Sequence, residues 1–334
     1  MKRIGSSTLE FNTPPTILSH AAIGGKKEAA GPLGSDFDQT FEDGTISLAS
    51  WEKAEAQLQK EAVALALDKA DLTAADMDMI FAGDLLNQCI SSTFGLLSYE
   101  IPFLGQYGAC STMAQTLLMA AMMVESGAAE RAVAVTSSHF CSAERQFRTP
   151  LEYGAQRTPT AQWTATAAGS LVVGHGGQVK IRRGLAGRIV ELGVKDPANM
   201  GAAMAPAAAD SIFRFLQDTG AKPADFDGIF TGDLGSVGTQ LLCQLLAENQ
   251  IDLGPVHNDC GLMLYNRGTQ DVHAGGSGCG CSASVLCGHL LKQMEAGKLN
   301  NILFCATGAL MSTTSQQQGE PIAGICHIVN LTAN

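Results

Sequence analysis

The sequence predicts an α/β protein of two pseudo-equivalent halves in a five-layered α/β/α/β/α arrangement. Three observations carry this. A twelve-residue phrase is written twice, as ADMDMIFAGDLL (75–86) and ADFDGIFTGDLG (224–235), with eight of the twelve positions identical. Helical and strand-like segments alternate in the same order around both copies, the pattern of an α/β architecture. One segment, residues 113–124, has only Gln115 and Thr116 as clearly polar members. A helix apolar almost all round is buried on all sides, as a central layer between sheets would be.

The elements follow in order. SWEKAEAQLQKEAVALALDKA (50–70) sets Leu58, Ala62 and Leu65 at helical spacing, with Val63 and Leu67 beside them. The polar link DLTAADMD leads into the first copy of the phrase. Gly-rich GQYGACST then brings Cys110 and Ser111 to the start of the apolar helix, and RAVAVTSS (131–138) closes the unit as a strand. In the second half NMGAAMAPAAADSIFRFLQDTG (199–220) is the helix and AKPADFD the link. GSGCGCSAS brings Cys281 and Ser282 to the next helix, ASVLCGHLLKQMEAG, and NNILFCATG (300–308) is the closing strand. The repeat thus predicts Cys110 and Cys281 at equivalent helix starts. The boundary is set after the strand SLVVGHGG, giving halves 1–175 and 176–334.

Hydrophobic residues make up 46% of the 334 and charged residues 16%, with 37 glycines; an average soluble protein carries about 25% charged residues. This composition describes a closely packed globule. A net charge of -11 argues against nucleic acid, whose binders need a basic face. The opening Met1–Lys2–Arg3 is followed by polar residues and two prolines rather than the apolar core of a signal peptide. No run of about 18 apolar residues predicts a membrane span. Ten cysteines without secretory signals read as reduced thiols in a cytosolic setting.

Cys110 is the leading site candidate. At a helix start, unpaired N–H groups and the dipole favour a thiolate, which could carry an acyl group as a thioester. The competing reading is a small residue chosen for a crowded elbow. The segment SSHFCSAERQFRTPLEYGAQRTP is a long excursion, read as a loop, that carries Arg145, Arg148 and Arg157. These forks either meet a carboxylate ligand or pair with Glu144, Glu152 or acidic groups across a dimer interface. His139, His257 and His273 are structural unless geometry shows otherwise, and His20, His175, His289 and His327 carry no usable signal. Cys279, Cys281, Cys287 and His289 suggest zinc, but Cys287 and His289 face different sides of a helix. Gly278, Gly280 and Ala283 fit a dinucleotide fingerprint that lacks its strand and its acidic residue. No metal or cofactor is expected.

Four stretches together, FDQTFEDGTISLASWEKAE, YGACSTMAQ, HFCSAERQFRTPLEYGAQRTPTAQW and GSGCGCSASVLCG, resemble the stage V sporulation protein AD family of the thiolase-like superfamily. The likeness covers essentially the whole chain. It implies a thiolase-like fold and a non-enzymatic protein that binds dipicolinic acid (pyridine-2,6-dicarboxylate) and supports its uptake into and release from bacterial spores. The alternatives are an acyltransferase using Cys110 and a scaffold of a spore membrane channel complex. It also implies a homodimer, made in the forespore cytoplasm and peripheral to the spore inner membrane, with other stage V sporulation A proteins as partners. Thiolases carry Gly-His-Pro, and ketoacyl synthases Gly-Asn-Thr, where this chain has GCGCSA, so Cys279 stands at the partner position. The second synthase His is replaced by Gly232 and Asp233. The nucleophile position at Cys110 is therefore vestigial. The expected ligand-binding set is Cys110, Ser111, His139, Arg145, Arg148, Arg157, Asp233 and Cys279.

Overall fold

The computed structural model describes residues 1–147 and 156–333. Two sets of five strands make up most of its sheet. The first comprises β1 (Thr16–Gly24), β2 (Met79–Gly83), β3 (Phe103–Gly105), β4 (Ala132–Ser138) and β5 (Ala167–Gly174). Its spatial order is β3-β2-β4-β5-β1. β3, β2 and β4 run parallel, and β5 is antiparallel to both neighbours. The second comprises β6 (Val179–Leu185), β7 (Gly228–Thr231), β8 (His257–Asp259), β9 (Asn301–Leu310) and β10 (Ala323–Ala333). Its order is β8-β7-β9-β10-β6, with the same pattern of directions. The sets join where Val179 and Lys180 pair with Ile17 and Thr16. Position 175/176 falls in the turn between β5 and β6.

Helices α1 (Trp51–Lys69) and α2 (Ile90–Leu96) cover the outside of the first set. Ser50 caps α1 by accepting from the Lys53 N–H at 3.3 Å, as Ser does at helix starts. The central layer holds α3 (Thr112–Glu125), which touches strands of both sets. A short α4 (Phe140–Phe147) follows β4, so the excursion read as a loop begins as a helix. Helices α5 (Met200–Thr219) and α6 (Gly235–Ala247) cover the outside of the second set. The second central helix runs as α7 (Cys279–Ser284), a π-helical turn (Val285–Leu290) and α8 (Leu291–Glu295). Phe81, Met113, Leu117, Leu171, Phe304 and Leu331 are buried together between the sheets.

The repeated phrase does the same local work twice. Asp76 accepts from the Thr73 N–H and Asp225 from the Lys222 N–H, both at 2.8 Å, closing the turn before the strand. Asp78 accepts from the N–H groups of Glu130 and Arg131 (2.6 and 3.2 Å), and Asp227 from those of Asn300 and Asn301 (2.6 and 2.9 Å). Each pair ties the start of its strand to the parallel neighbour. These carboxylates satisfy backbone donors the sheet leaves over, which is why the two copies keep them. The third shared aspartate, Asp84 or Asp233, does different work in each half.

Candidate functional site

Cys110 lies in a tight turn (Ala109–Ser111) that feeds α3. The turn is self-closed: Ser111 Oγ donates to the Gly108 carbonyl and Thr112 Oγ1 to the Ala109 carbonyl, each at 2.6 Å. It presses on β9 at Gly308, where an added Cβ would sit 2.6 Å from the Gly108 carbonyl oxygen. Only a glycine in β9 lets the strand and the turn meet backbone to backbone.

The second half closes over this turn. Asp233 follows β7 and is fully buried. It accepts from the Gly278 N–H and from Thr307 Oγ1, both at 2.9 Å. Gln162 fixes the local backbone by donating to the carbonyls of Asp233 and Gly276, both at 2.7 Å. Cys279, the first residue of α7, points its thiol at the Ser137 carbonyl of β4 (3.0 Å). Cys110 and Cys279 share one small apolar cluster with Leu85 and Ala143. Cys281 is the third residue of α7, whose first residue, Cys279, is the one expected at the partner position and the one brought beside Cys110.

The electrostatics disfavour a nucleophile. Burial raises the Cys110 thiol well above its ordinary value, and the Asp233 carboxylate beside it raises it further. The helix start was expected to favour a thiolate; desolvation and a like charge outweigh it. Burial also lifts Asp233 to about 6, against the stabilising contacts from Cys110, Gly278 and Thr307. Above Cys110 opens a cavity of about 330 Å³, near the lower end for small-molecule sites. Leu85, Tyr107, Phe147, Met200, Leu310 and Met311 supply its apolar walls, and Thr164, Ser277, Ser312 and Ser315 its hydroxyls. Glu144 also lines it, and the described lining residues include no Lys, Arg or His.

Of the described candidates, Cys110 lines the cavity, with Asp233 and Cys279 just behind it. Ser111 is spent within its own turn. His139 Nδ1 accepts from the Cys141 N–H, so its Nε2–H donates to the Gly44 carbonyl (2.6 Å); burial lowers its pKa. Arg145 lies on another side of α4 from Ala143, Glu144 and Phe147. It pairs with Glu52 and stands 5.3 Å over the Trp51 ring. Arg157 donates to the Asp271 carbonyl at 2.8 Å and stands 4.7 Å over the Trp163 ring. Arg148 lies outside the described residues. His257 sits 3.1 Å from Thr231 Oγ1 in β8, and His273 pairs with Asp271 at 3.1 Å.

Sequence reasoning passed over a buried carboxylate pair behind the cavity. Glu55 accepts from Ser142 Oγ (2.6 Å) and Ser137 Oγ (3.3 Å), and Asp84 from the Ser92 N–H and hydroxyl (2.8 and 2.6 Å). Burial raises the pKa of both, and the Asp84 charge raises Glu55 further. A signal existed for each. Asp84 holds the place of Asp233 in the first copy of the phrase, and Glu55 with Gln59 sits four apart on the inward stripe of α1.

Two matching halves, a cysteine where the first central helix begins, and a second half that closes over it define the thiolase-like class. Solved structures agree on the fold. 3-Oxoacyl-[acyl-carrier-protein] synthase III from Aquifex aeolicus VF5 is 15% identical with a TM-score of 0.56, over 95% of this chain and 99% of that one. Cerulenin-bound OleA of Xanthomonas campestris is 14% identical with a TM-score of 0.62, over 97% of this chain and 100% of that one. Within this class the chain belongs to the stage V sporulation protein AD family, whose family model matches residues 5–332. It is 45% identical over 328 residues to Stage V sporulation protein AD of Bacillus subtilis (strain 168), covering 98% of this chain and 97% of that protein. That places it among sporulation proteins. Among the described residues, no helix is long and apolar enough to cross a membrane.

Proposed function

We propose that this chain binds dipicolinate in the cavity above Cys110, as a non-enzymatic member of its class that supports movement of the ligand into and out of spores. The observation that carries the reading is the state of Cys110: a buried thiol beside a carboxylate, opening on a cavity of ring-ligand size. Acyl transfer needs a thiolate or a base to make one. The two positions that hold His or Asn in related enzymes hold Asp233 and Cys279, which accept from Gly278 and donate to Ser137. A flat aromatic dicarboxylate needs apolar walls for its ring and donors at both ends. Leu85, Phe147 and Met311 can supply the walls and the hydroxyls of Thr164 and Ser277 can supply donors, whereas Ser312 and Ser315 donate to each other within their own turn.

Calorimetry with dipicolinate tests the reading, with Ala309→Phe filling the cavity. Binding at one site per chain that Ala309→Phe abolishes supports it. A Cys110 acyl adduct that forms from an acyl-CoA and discharges onto an acceptor would restore the acyltransferase. We also propose a homodimer formed at β3. This strand is an edge of the sheet with Phe103, Leu104 and Gly105 all exposed, and an open edge is a template for pairing. Phe94 and Leu97, about two-thirds exposed, stand just before it. Peripheral residence at the spore inner membrane with other stage V sporulation A proteins completes the proposal, on the strength of family membership.

A further inference from the structure

We infer that Asp233 couples the site to protons: a dianion enters the cavity with uptake of one proton by this carboxyl. The inference rests on the dipicolinate reading and deepens it. Its basis is placement. Asp233 is fully buried directly behind Cys110 and Ser277, both of which line the cavity. The carboxylate already accepts from Gly278 and Thr307, so when ionised it puts a fixed negative charge under the place where a ligand carboxylate arrives.

Among the described residues, the titratable groups facing Asp233 are thiols and carboxyls, and none supplies a positive charge. Burial pushes up the thiols of Cys110 at the start of α3 and of Cys279 and Cys281 in α7, and the Asp233 charge pushes each further. Cys260, just after β8, behaves in the same way. Asp259 of β8 is the nearest second carboxylate, itself fully buried and raised partly by Asp233. A proton is therefore the available counter-charge, and Asp233 is the group poised to take it. Free, it titrates at about 6; a bound dianion beside it disfavours the ionised form and moves that value up. At pH 7 to 8 the empty site holds a carboxylate, and the filled site shifts toward the carboxylic acid.

The probe is dipicolinate itself, whose carboxyl groups, at ordinary values near about 4, are ionised throughout the range used. Calorimetry at pH 5.5 to 8 in buffers of different ionisation enthalpy counts protons taken up per ligand. The expected result is uptake of up to one proton per ligand, growing as pH rises above about 6, with Kd rising by up to about tenfold per pH unit while uptake lasts. Asp233→Asn should bind with no uptake and a flat Kd over that range. Binding in the wild type with no uptake and a flat Kd overturns the inference while leaving the ligand reading intact. Uptake retained in Asp233→Asn overturns the assignment to this residue. No binding at any pH overturns the ligand reading, and the inference falls with it. Should Asp233→Asn fail to fold, Asp259→Asn decides: uptake retained there supports the assignment to Asp233, and uptake lost there overturns it.

Discussion

Raising the pH from 5 to 8 should withdraw the stability that Asp259 contributes, against the usual behaviour of acidic side chains. Asp259 ends β8 fully buried, accepting from Thr231 Oγ1 (2.7 Å) and from the N–H groups of Leu234 (2.8 Å) and Gly235 (3.0 Å). Burial outweighs these bonds and lifts its pKa from 3.8 to about 7. In the unfolded chain the same group ionises near about 3.9. Between these values the native state holds a proton that the unfolded state has released. The contribution is intact below about pH 4, declines as pH rises, and is lost once pH passes the folded value. A rise of this size corresponds to about 4 kcal/mol, a large share of a typical 5–15 kcal/mol. Asp233 acts in the same direction up to about pH 6, with part of the effect shared, since its charge helps to raise Asp259. Guanidinium unfolding at fixed ionic strength and pH 5, 6, 7 and 8 measures the change. Burial lowers His257 and His327 to about 4, and these groups add stability as pH rises. The reading is therefore the difference between the wild type and Asp259→Asn: the wild type should lose about 3 kcal/mol relative to the variant between pH 5 and 8. A difference between wild type and Asp259→Asn that stays constant from pH 5 to 8 would refute the reasoning.

Three further outcomes are expected. Iodoacetamide at pH 7.5 should label the exposed Cys243 well before Cys110, because burial and Asp233 keep the latter a thiol; peptide mass spectrometry over a time course reads the order. Arg145→Ala should leave dipicolinate affinity within about twofold and cost at most about 1 kcal/mol of stability, the range for an exposed ion pair. Leu104→Lys should shift sedimentation toward the monomer without lowering the unfolding midpoint, because the edge strand is exposed within one chain.

How the sequence relates to the site is clearest in the aspartates of the repeated phrase. Asp76 and Asp78, like Asp225 and Asp227, bind backbone donors within reach of their own strand, and their roles follow from local order. That is why the duplicated halves, the buried central helix and the Cys110 turn were legible before any coordinates. Asp84 and Asp233 occupy the same place in the phrase, yet Asp84 holds Leu86 and Ser92 nearby, whereas Asp233 reaches Gly278 and Thr307 across 45 and 74 residues. No local pattern separates the two. The state of the Cys110 thiol was only partly legible for the same reason: the helix start is visible in the sequence, but the depth of burial and the opposing carboxylate are not. Arg145 looked like a ligand fork because its residue type suits one, and only the rotation of α4 turns it toward Glu52. The sequence by itself determined what depends on residues near in the chain: helix and strand periodicity, turn chemistry and the repeat. Tertiary structure decided which distant groups share a low-dielectric space, and the state of every ionisable group at the site depends on that proximity.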